Sequence, residues 1–430
     1  MDRSKNRHAM VAALLWMAAG VAAAADEVTL WLHVGAGPER RVYEASIAAF
    51  HAQQKDVRVT MVPLPEGSYA EQVKQAADQR RLPCLLDLDG PLVSYYAWAT
   101  RLVPLDDQPF VQRLRKQMLR TLESQGSHRG RLYSLAQFDS GLALWGNRRL
   151  LEAAGIRIPA QTRSAWTHEE FESVLQRLKA QGVPWPLDMK LNYGIGEWLT
   201  YGFSPIVQSF GGDLIDRRTY RSAQGVLNSP ASVRALQTVQ KWVRAGYLNP
   251  KPVGDSDFVE GRSALSHVGH WVYQDYRRAL GDDLVLIPMP RFGSRAVTGA
   301  GSWSWAVTRD CARPDAAMKV LEHLMSHAEV LRVTQANGAV PGTVNAIAFS
   351  PQYGLGGPLR LYVDQIVEGT ARVRPPTPAY PVITQAFARA VARIIEGADV
   401  QRELDEAVRV IDEEITRHEG YPSDSPLLTH

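Results

Sequence analysis

Residues with the means to do chemistry are sparse in this 430-residue chain, and the densest set lies between residues 258 and 308. FVEGRSALSHVGHW is followed there by LVLIPMPRFGS and then GAGSWSWAVT. A Gly269-His270-Trp271 turn ends a short apolar run, and a Gly-rich turn leads to Trp303 and Trp305, expected on alternate sides of a strand. Indole is costly to expose, and glycines beside it let a ligand approach the backbone. Three tryptophans beside Gly turns at strand ends point to a binding surface. Two acids, Asp87 and Asp89, close the apolar run LPCLLDLDG. Only one of them is expected to face a cleft, a poor arrangement for an acid/base pair working on one bond. Asp89, last before Gly90, is the one placed to accept hydrogen bonds from ligand hydroxyls.

Other chemistries lack their residues. The chain contains no G-x-S-x-G elbow, Walker A loop or H-E-x-x-H. His323 and His327 sit four apart on a predicted helix, a spacing that suits a metal, but without an acidic or Cys partner nearby they read as surface residues. His267 and His270 are equally unsupported as ligands. Gly299-Ala300-Gly301 lacks the third glycine and the following helix of a dinucleotide loop, so it reads as a turn. Tyr95 and Tyr96 open a helix and are expected to pack. No cofactor, metal or catalytic residue is assigned.

The elements that must position these residues follow an α/β pattern. EVTLWL (27–32) is strand-like and turns through GAGPER into a helix carrying Val42, Ile47 and Phe50. A strand from Val57, a helix over 68–80 and the run ending at Asp89 complete a β-α-β-α-β rhythm. That rhythm indicates a parallel sheet with ligands beyond the carboxyl ends of its strands, so residues 33–39 and 87–90 lie at the binding edge. RLYSLAQFDSGLALWGN (131–147) is extended and crosses into a second α/β region, with helices near 150–154, over 168–180 and over 198–210. In NSPASVRALQTVQKWVRAGYLNP, Ser229 is the N-cap, Pro230 takes the first helical position, Val233, Leu236, Val239 and Val243 share a face, and Gly246 ends the helix. Residues 297–308 read as the strand returning to the first domain, followed by helices over 314–326, 359–366, 384–395 and 399–417. The predicted domains are 26–135 plus 300–350, and 136–299 plus 351–420, joined near 131–140 and 294–302. The tail 421–430 is expected to be loose.

Bulk properties set the compartment. Arg3, Lys5 and Arg7 precede an apolar run over 9–25 that ends in Ala23-Ala24-Ala25, the pattern of a secretory signal cleaved before Asp26. Removing three cations and one anion (Asp2) from the formal charge of +3 leaves +1. A mature chain so close to neutral argues against nucleic-acid or membrane-surface binding through bulk charge. Cys84 and Cys311 are the two cysteines; an exported chain can pair them or leave them as thiols.

Several stretches, in order, resemble the extracellular solute-binding proteins of ABC sugar importers, in the maltose- and trehalose-binding branch. They are LPCLLDLDGPLVSYYAWATRLVPLDD, FDSGLALWGNRRLLEAAGI, VLNSPASVRALQTVQKWVRAGYLNP, FVEGRSALSHVGHW, GSWSWAVTRDCARPDAAMKVLEHLMS and RPPTPAYPVITQAFARAV. Two departures stand out: Cys84 replaces an expected Asp, and Leu144-Trp145-Gly146 replaces a Tyr-Tyr pair, which is expected to alter the hinge. The resemblance implies a two-lobe periplasmic receptor, working as a monomer, that closes on a sugar and offers it to the membrane permease. It implies ligand contacts from Asp89, Asp139, Trp271, Trp303, Arg374 and Tyr380. Tyr201 is placed by counting back from Gly211-Gly212, with Trp198 and Glu197 behind it. An α-glucoside disaccharide such as trehalose or maltose is the expected ligand. The rival readings are a secreted glycosidase using Asp89 and Asp139 as acid and base, and a receptor of the same fold for glycerol 3-phosphate or a similar phosphoester.

Overall fold

The computed structural model describes residues 25–34 and 37–422. The proposed signal segment, apart from Ala25, and residues 423–430 of the tail lie outside the described residues. Two sheets organise the chain. In the first, Asp26–Val34 pairs in parallel with both Val57–Pro65 and Leu85–Asp89. Trp303–Val307 then runs antiparallel to Leu85–Asp89, and Ser134–Leu135 closes the far edge. The second sheet has the order 284–287, 142–147, 265–269, 187–188, with Leu142–Asn147 antiparallel to both of its neighbours. Each sheet is the centre of one lobe.

Local sequence explains the elements. Val28, Leu30 and Leu32 alternate into the first core, as a strand of period two requires. The helix Gly37–Gln53 buries Tyr43, Ile47 and Phe50 at helical spacing over that sheet. In the second lobe the helix Pro230–Arg244 begins as its sequence dictates: the Ser229 side chain accepts from Ser232 N, Pro230 follows, and Gly246 adopts φ +67 beyond its end. A cap of this kind stabilises by about 1 kcal/mol. The helix Val400–Arg417 buries Leu404, Val408, Ile411 and Ile415 against Tyr380–Ile395, which also packs on Glu197–Ser209 and Pro230–Arg244. Helices His327–Asn337 and Val344–Phe349 were not predicted from the sequence.

Several expectations change. Residues two apart on a strand share a face, so Asp87 and Asp89 do not turn apart, and neither do Trp303 and Trp305. In the antiparallel register Trp303 lies opposite Asp89 and Trp305 opposite Asp87. Depth separates them: Trp305 is in the core, donating from Nε1 to Gln137 Oε1 at 3.0 Å, whereas Trp303 is half-buried at the strand end. Trp145 is buried in the second sheet, donating to Gly269 O at 3.1 Å. His323 is not a surface residue, since its side chain is nearly buried and its Nε2 meets Ser46 O at 3.0 Å. Tyr421 is not loose either: it is buried edge-on against Trp98, and Arg129 donates to its carbonyl.

The lobes meet where two crossings run side by side. Ser140 N donates to Gly301 O at 3.2 Å, and the hydroxyls of Ser140 and Ser302 are 2.8 Å apart. Gly301 has φ +94, and a Cβ there would overlap the Gln125 amide, so this crossing requires glycine. The short parallel pair Thr298–Ala300 and Ala371–Val373 brings a third chain segment to the same place. In the first lobe, a disulfide joins Cys84 to Cys311 at the opposite end of Leu85–Asp89 from Asp89.

Candidate functional site

Three chain segments converge where the lobes face each other. Leu85–Asp89 ends on Asp89, Ala371–Val373 ends just before Arg374, and Glu197–Ser209 begins with Glu197. Arg374 donates from Nη1 and Nη2 to the two Asp89 oxygens at 2.6 and 2.7 Å, and from Nη1 to Glu197 Oε1 at 2.5 Å. A planar guanidinium suits such two-pronged pairing. Tyr380, first residue of its helix, donates its hydroxyl to the same Glu197 oxygen, and Thr384 donates to the other at 2.7 Å. The Arg374 side chain is 5% exposed and Asp89 13%, while Glu197 keeps 34% of its side chain open to water. This triad therefore ties the first-lobe sheet to the second lobe.

Charge states follow from the packing. The carboxylates of Asp89 and Glu197 hold the Arg374 guanidinium firmly protonated against the penalty of its burial. The site's low polarity raises Glu197 above the ordinary carboxylate range, with Arg374 pulling it back and Asp89 pushing it further up. The Tyr201 ring lies under the Arg374 guanidinium, 4.5 Å from centroid to Cζ, a cation–π contact. Burial pushes the Tyr201 phenol upward, so it stays protonated. Among the described residues, Tyr201 Oη, Arg374 Nε and Gln125 Nε2 are buried without a hydrogen-bond partner.

Aromatic rings of both lobes adjoin the triad, since Trp303 lies opposite Asp89 in register and Trp198 stands edge-on to Tyr201 under Arg374. From the first lobe comes Trp303, stacked on His33. From the second come Trp198, Trp271 and Tyr193. Trp198 is buried, donates to Met189 O at 3.0 Å and stands edge-on to Tyr193, Tyr201 and Trp271. Trp271 is half-buried and donates to the Tyr193 hydroxyl at 3.0 Å. Gly269 makes room for it, because a Cβ there would overlap the Trp271 ring. Lys190 fixes the loop that carries Tyr193. Its fully buried ammonium bridges Asp188 and Asp255 over the Tyr276 ring, and its backbone is left-handed at φ +54.

Of the eight residues selected from sequence, Asp89, Arg374, Tyr380 and Tyr201 meet around one point, while Trp303, Trp271 and Trp198 stand beside it. Asp139 is different. It has no exposure and lies in the crossing, where its oxygens accept from Thr121 Oγ1 at 2.7 Å, Gly301 N at 3.0 Å and Gly141 N at 3.1 Å. Burial raises its carboxyl, and these donors offset part of the rise. Its place is to hold the crossings in register. Glu197, ranked behind Tyr201 from the sequence, is the second acid of the triad; its position at the start of a helix after Gly194-x-Gly196 was the available signal. Tyr193, Gln125 and Lys190 had no signal in the linear text. Among the described residues no group of three or more His, Cys, Asp or Glu is placed to hold a metal ion.

A family model described as bacterial extracellular solute-binding protein matches residues 45–353. No curated protein sequence matches the chain. Similar solved structures include the GacH receptor of Streptomyces glaucescens, known unliganded and with acarbose and an acarbose homolog. It is 19% identical, with a TM-score of 0.76 over 91% of this chain and 98% of that one. The cyclic alpha-maltosyl-1,6-maltose binding protein of Arthrobacter globiformis is 23% identical, with a TM-score of 0.74 over 91% and 100% of the two chains. The sugar-binding protein MalE of Xanthomonas citri is 18% identical, with a TM-score of 0.75 over 91% and 98%. At these identities the likeness is one of fold.

Proposed function

We propose, from the premise that this chain belongs to the family of bacterial extracellular solute-binding proteins, that it captures an α-glucoside between its lobes and delivers it to an ABC importer's membrane permease. The observation that carries this reading is the Asp89–Arg374–Glu197 triad joining the two lobes with aromatic rings of both beside it, Trp303 opposite Asp89 and Tyr201 and Trp198 next to Arg374 and Glu197. A sugar ring offers an apolar C–H face and a rim of hydroxyls. Indoles and phenols cover the first, and carboxylates and guanidinium donors match the second. Tyr201 Oη and Arg374 Nε supply buried donors with no protein partner. Acarbose and maltosyl-maltose in structural neighbours favour maltose-type sugars, with trehalose as the other disaccharide of choice. The lobes are taken as 26–135 with 300–350 and 136–299 with 351–420, and the protein as exported to the periplasm.

At about −0.3 kcal/mol per heavy atom, a disaccharide of roughly two dozen atoms gains about −7 kcal/mol, a micromolar dissociation constant. Closure follows only if the ligand touches both lobes better when they are shut. Hydrolysis would need a free carboxylate to partner Asp89, but Asp139 is enclosed and hydrogen-bonded, and Glu197 is engaged by Arg374, Tyr380 and Thr384. Phosphoester binding calls for cations in excess, whereas Arg374 is already matched by two acids.

Isothermal calorimetry with maltose, maltotriose and trehalose tests the reading. Saturable binding without release of monosaccharide is expected, weakened at least tenfold in Trp271→Ala and in Trp303→Ala. Unchanged affinity in both variants, or sugar breakdown by the purified chain, would refute it.

A further inference from the structure

The strand Asp26–Val34 reaches the cleft edge at His33, next to the indole assigned above to the sugar. The His33 imidazole lies parallel to Trp303, with centroids 3.6 Å apart and planes 9° from coincidence. Its Nδ1 is 2.5 Å from Asp87 Oδ2, and both side chains are about 5% exposed. Tyr69 closes the group edge-on, 6.2 Å from His33 and 5.7 Å from Trp303, and donates to Asp87 O at 2.6 Å. One face of the indole is therefore covered, while Trp303 as a whole is only half-buried.

Neutral aromatic rings prefer offset or edge-on contacts over full face-to-face overlap. A cationic ring over an indole face is attracted to it, and the carboxylate of Asp87 supplies the counter-charge at hydrogen-bond distance. We propose that His33, held by Asp87, is a positioning residue that fixes the plane of Trp303, so that the indole meets a sugar ring as a preformed platform. The proposal rests on the reading of Trp303 as a sugar-binding ring. Preformation matters because an indole free to change rotamer must be ordered at each binding event, which weakens affinity.

The groups facing the pair are Tyr69 from the helix Glu66–Asp78, Trp303 from the returning strand, and Asp89 and Tyr43 acting on Asp87, with Glu39 beyond Tyr43. Burial raises the Asp87 carboxyl, Asp89 raises it further, and His33 lowers it. As pH falls, Asp87 takes up a proton and His33 loses its counter-charge, so sugar affinity declines. Without His33 there is no ring for Asp87 to hold against Trp303, so that decline flattens.

The test is calorimetry with maltotriose from pH 8 to pH 4.5 on wild type, Trp303→Ala, His33→Asn and Asp87→Asn, each checked for folding by thermal melting. The Asn amide keeps a donor for Asp87 but removes the stacked ring. We expect His33→Asn to bind about three- to tenfold more weakly at pH 7.5, the range an aromatic pair carries, and its acid decline to flatten. Asp87→Asn is expected to lose that decline; if it does not fold, His33→Phe, which keeps the stack and loses the ion pair, takes its place, with weaker binding expected. Wild-type affinity in His33→Asn at every pH, alongside weakened Trp303→Ala, would overturn this proposal and leave the sugar-binding reading intact. So would weaker binding with the wild-type acid decline retained, which makes His33 mere packing. No weakening in Trp303→Ala would instead remove the premise.

Discussion

Replacing Arg374 with Met tests whether the triad holds the lobes together. The guanidinium makes three short contacts to two carboxylates, and its removal leaves Asp89 and Glu197 near one another with no cation between them. Breaking a buried ion pair from one side costs about 3–5 kcal/mol, because the remaining charge stays desolvated. The upper half of that range is tempered here by the solvent-open third of Glu197 and by its capacity to take up a proton. Unfolding entropy of about 2.1 cal/mol/K per residue over roughly 400 described residues gives about 0.8 kcal/mol/K. The loss, about 3–4 kcal/mol, then corresponds to a fall of about 4–5 °C in melting temperature. The triple variant Arg374→Met/Asp89→Asn/Glu197→Gln removes both orphaned charges, and most of the stability should return. It should still bind sugar poorly, since the polar rim is gone. Calorimetric melts of wild type, single and triple variants, run with and without maltotriose, give both readouts. A single variant melting within about 1 °C of wild type, or a triple variant no better than the single, would refute the reasoning.

Two further outcomes follow from the cores. His267 and His270 are buried, and burial lowers each from 6.5 to about 4. They are neutral when folded and take up protons on unfolding, so the stability they favour is present above pH 6.5 and lost as pH falls toward 4. The loss is up to about 3 kcal/mol for each. Denaturant titrations between pH 7 and pH 4 should show this slope, and it should flatten in His267→Gln; an equal slope in that variant would count against the assignment. The Cys84–Cys311 bond closes a sequence separation of 227 residues, for which the chain-entropy model gives about 5 kcal/mol. Cys84→Ser/Cys311→Ser should melt well below wild type yet keep its sugar affinity at low temperature, because the bond lies at the far end of the strand from Asp89. An unchanged melting point would show that the crosslink adds nothing to stability.

The sequence by itself determined most of the elements and their order, though not the helices His327–Asn337 and Val344–Phe349. Apolar periodicity, the Ser229-Pro230 start and the β-α-β-α-β opening are local properties, carried by side-chain spacing and backbone chemistry. It also singled out Asp89, Trp271 and Trp303, because indoles and acids beside glycines at strand ends are unusual wherever they end up, while Arg374 and Tyr380 came from the resemblance to solute-binding proteins. Tertiary structure decided which of these meet. Arg374 and Asp89 are separated by 285 positions, and no local pattern encodes that they share two hydrogen bonds. Asp139 is as acidic as Asp89, yet the crossing encloses it, since burial depends on how the lobes pack. The sequence put His33 at the binding edge, but its role was invisible until the returning strand laid Trp303 flat against it. Pairing across distant segments depends on shape and desolvation, quantities that exist only once the chain has closed on itself.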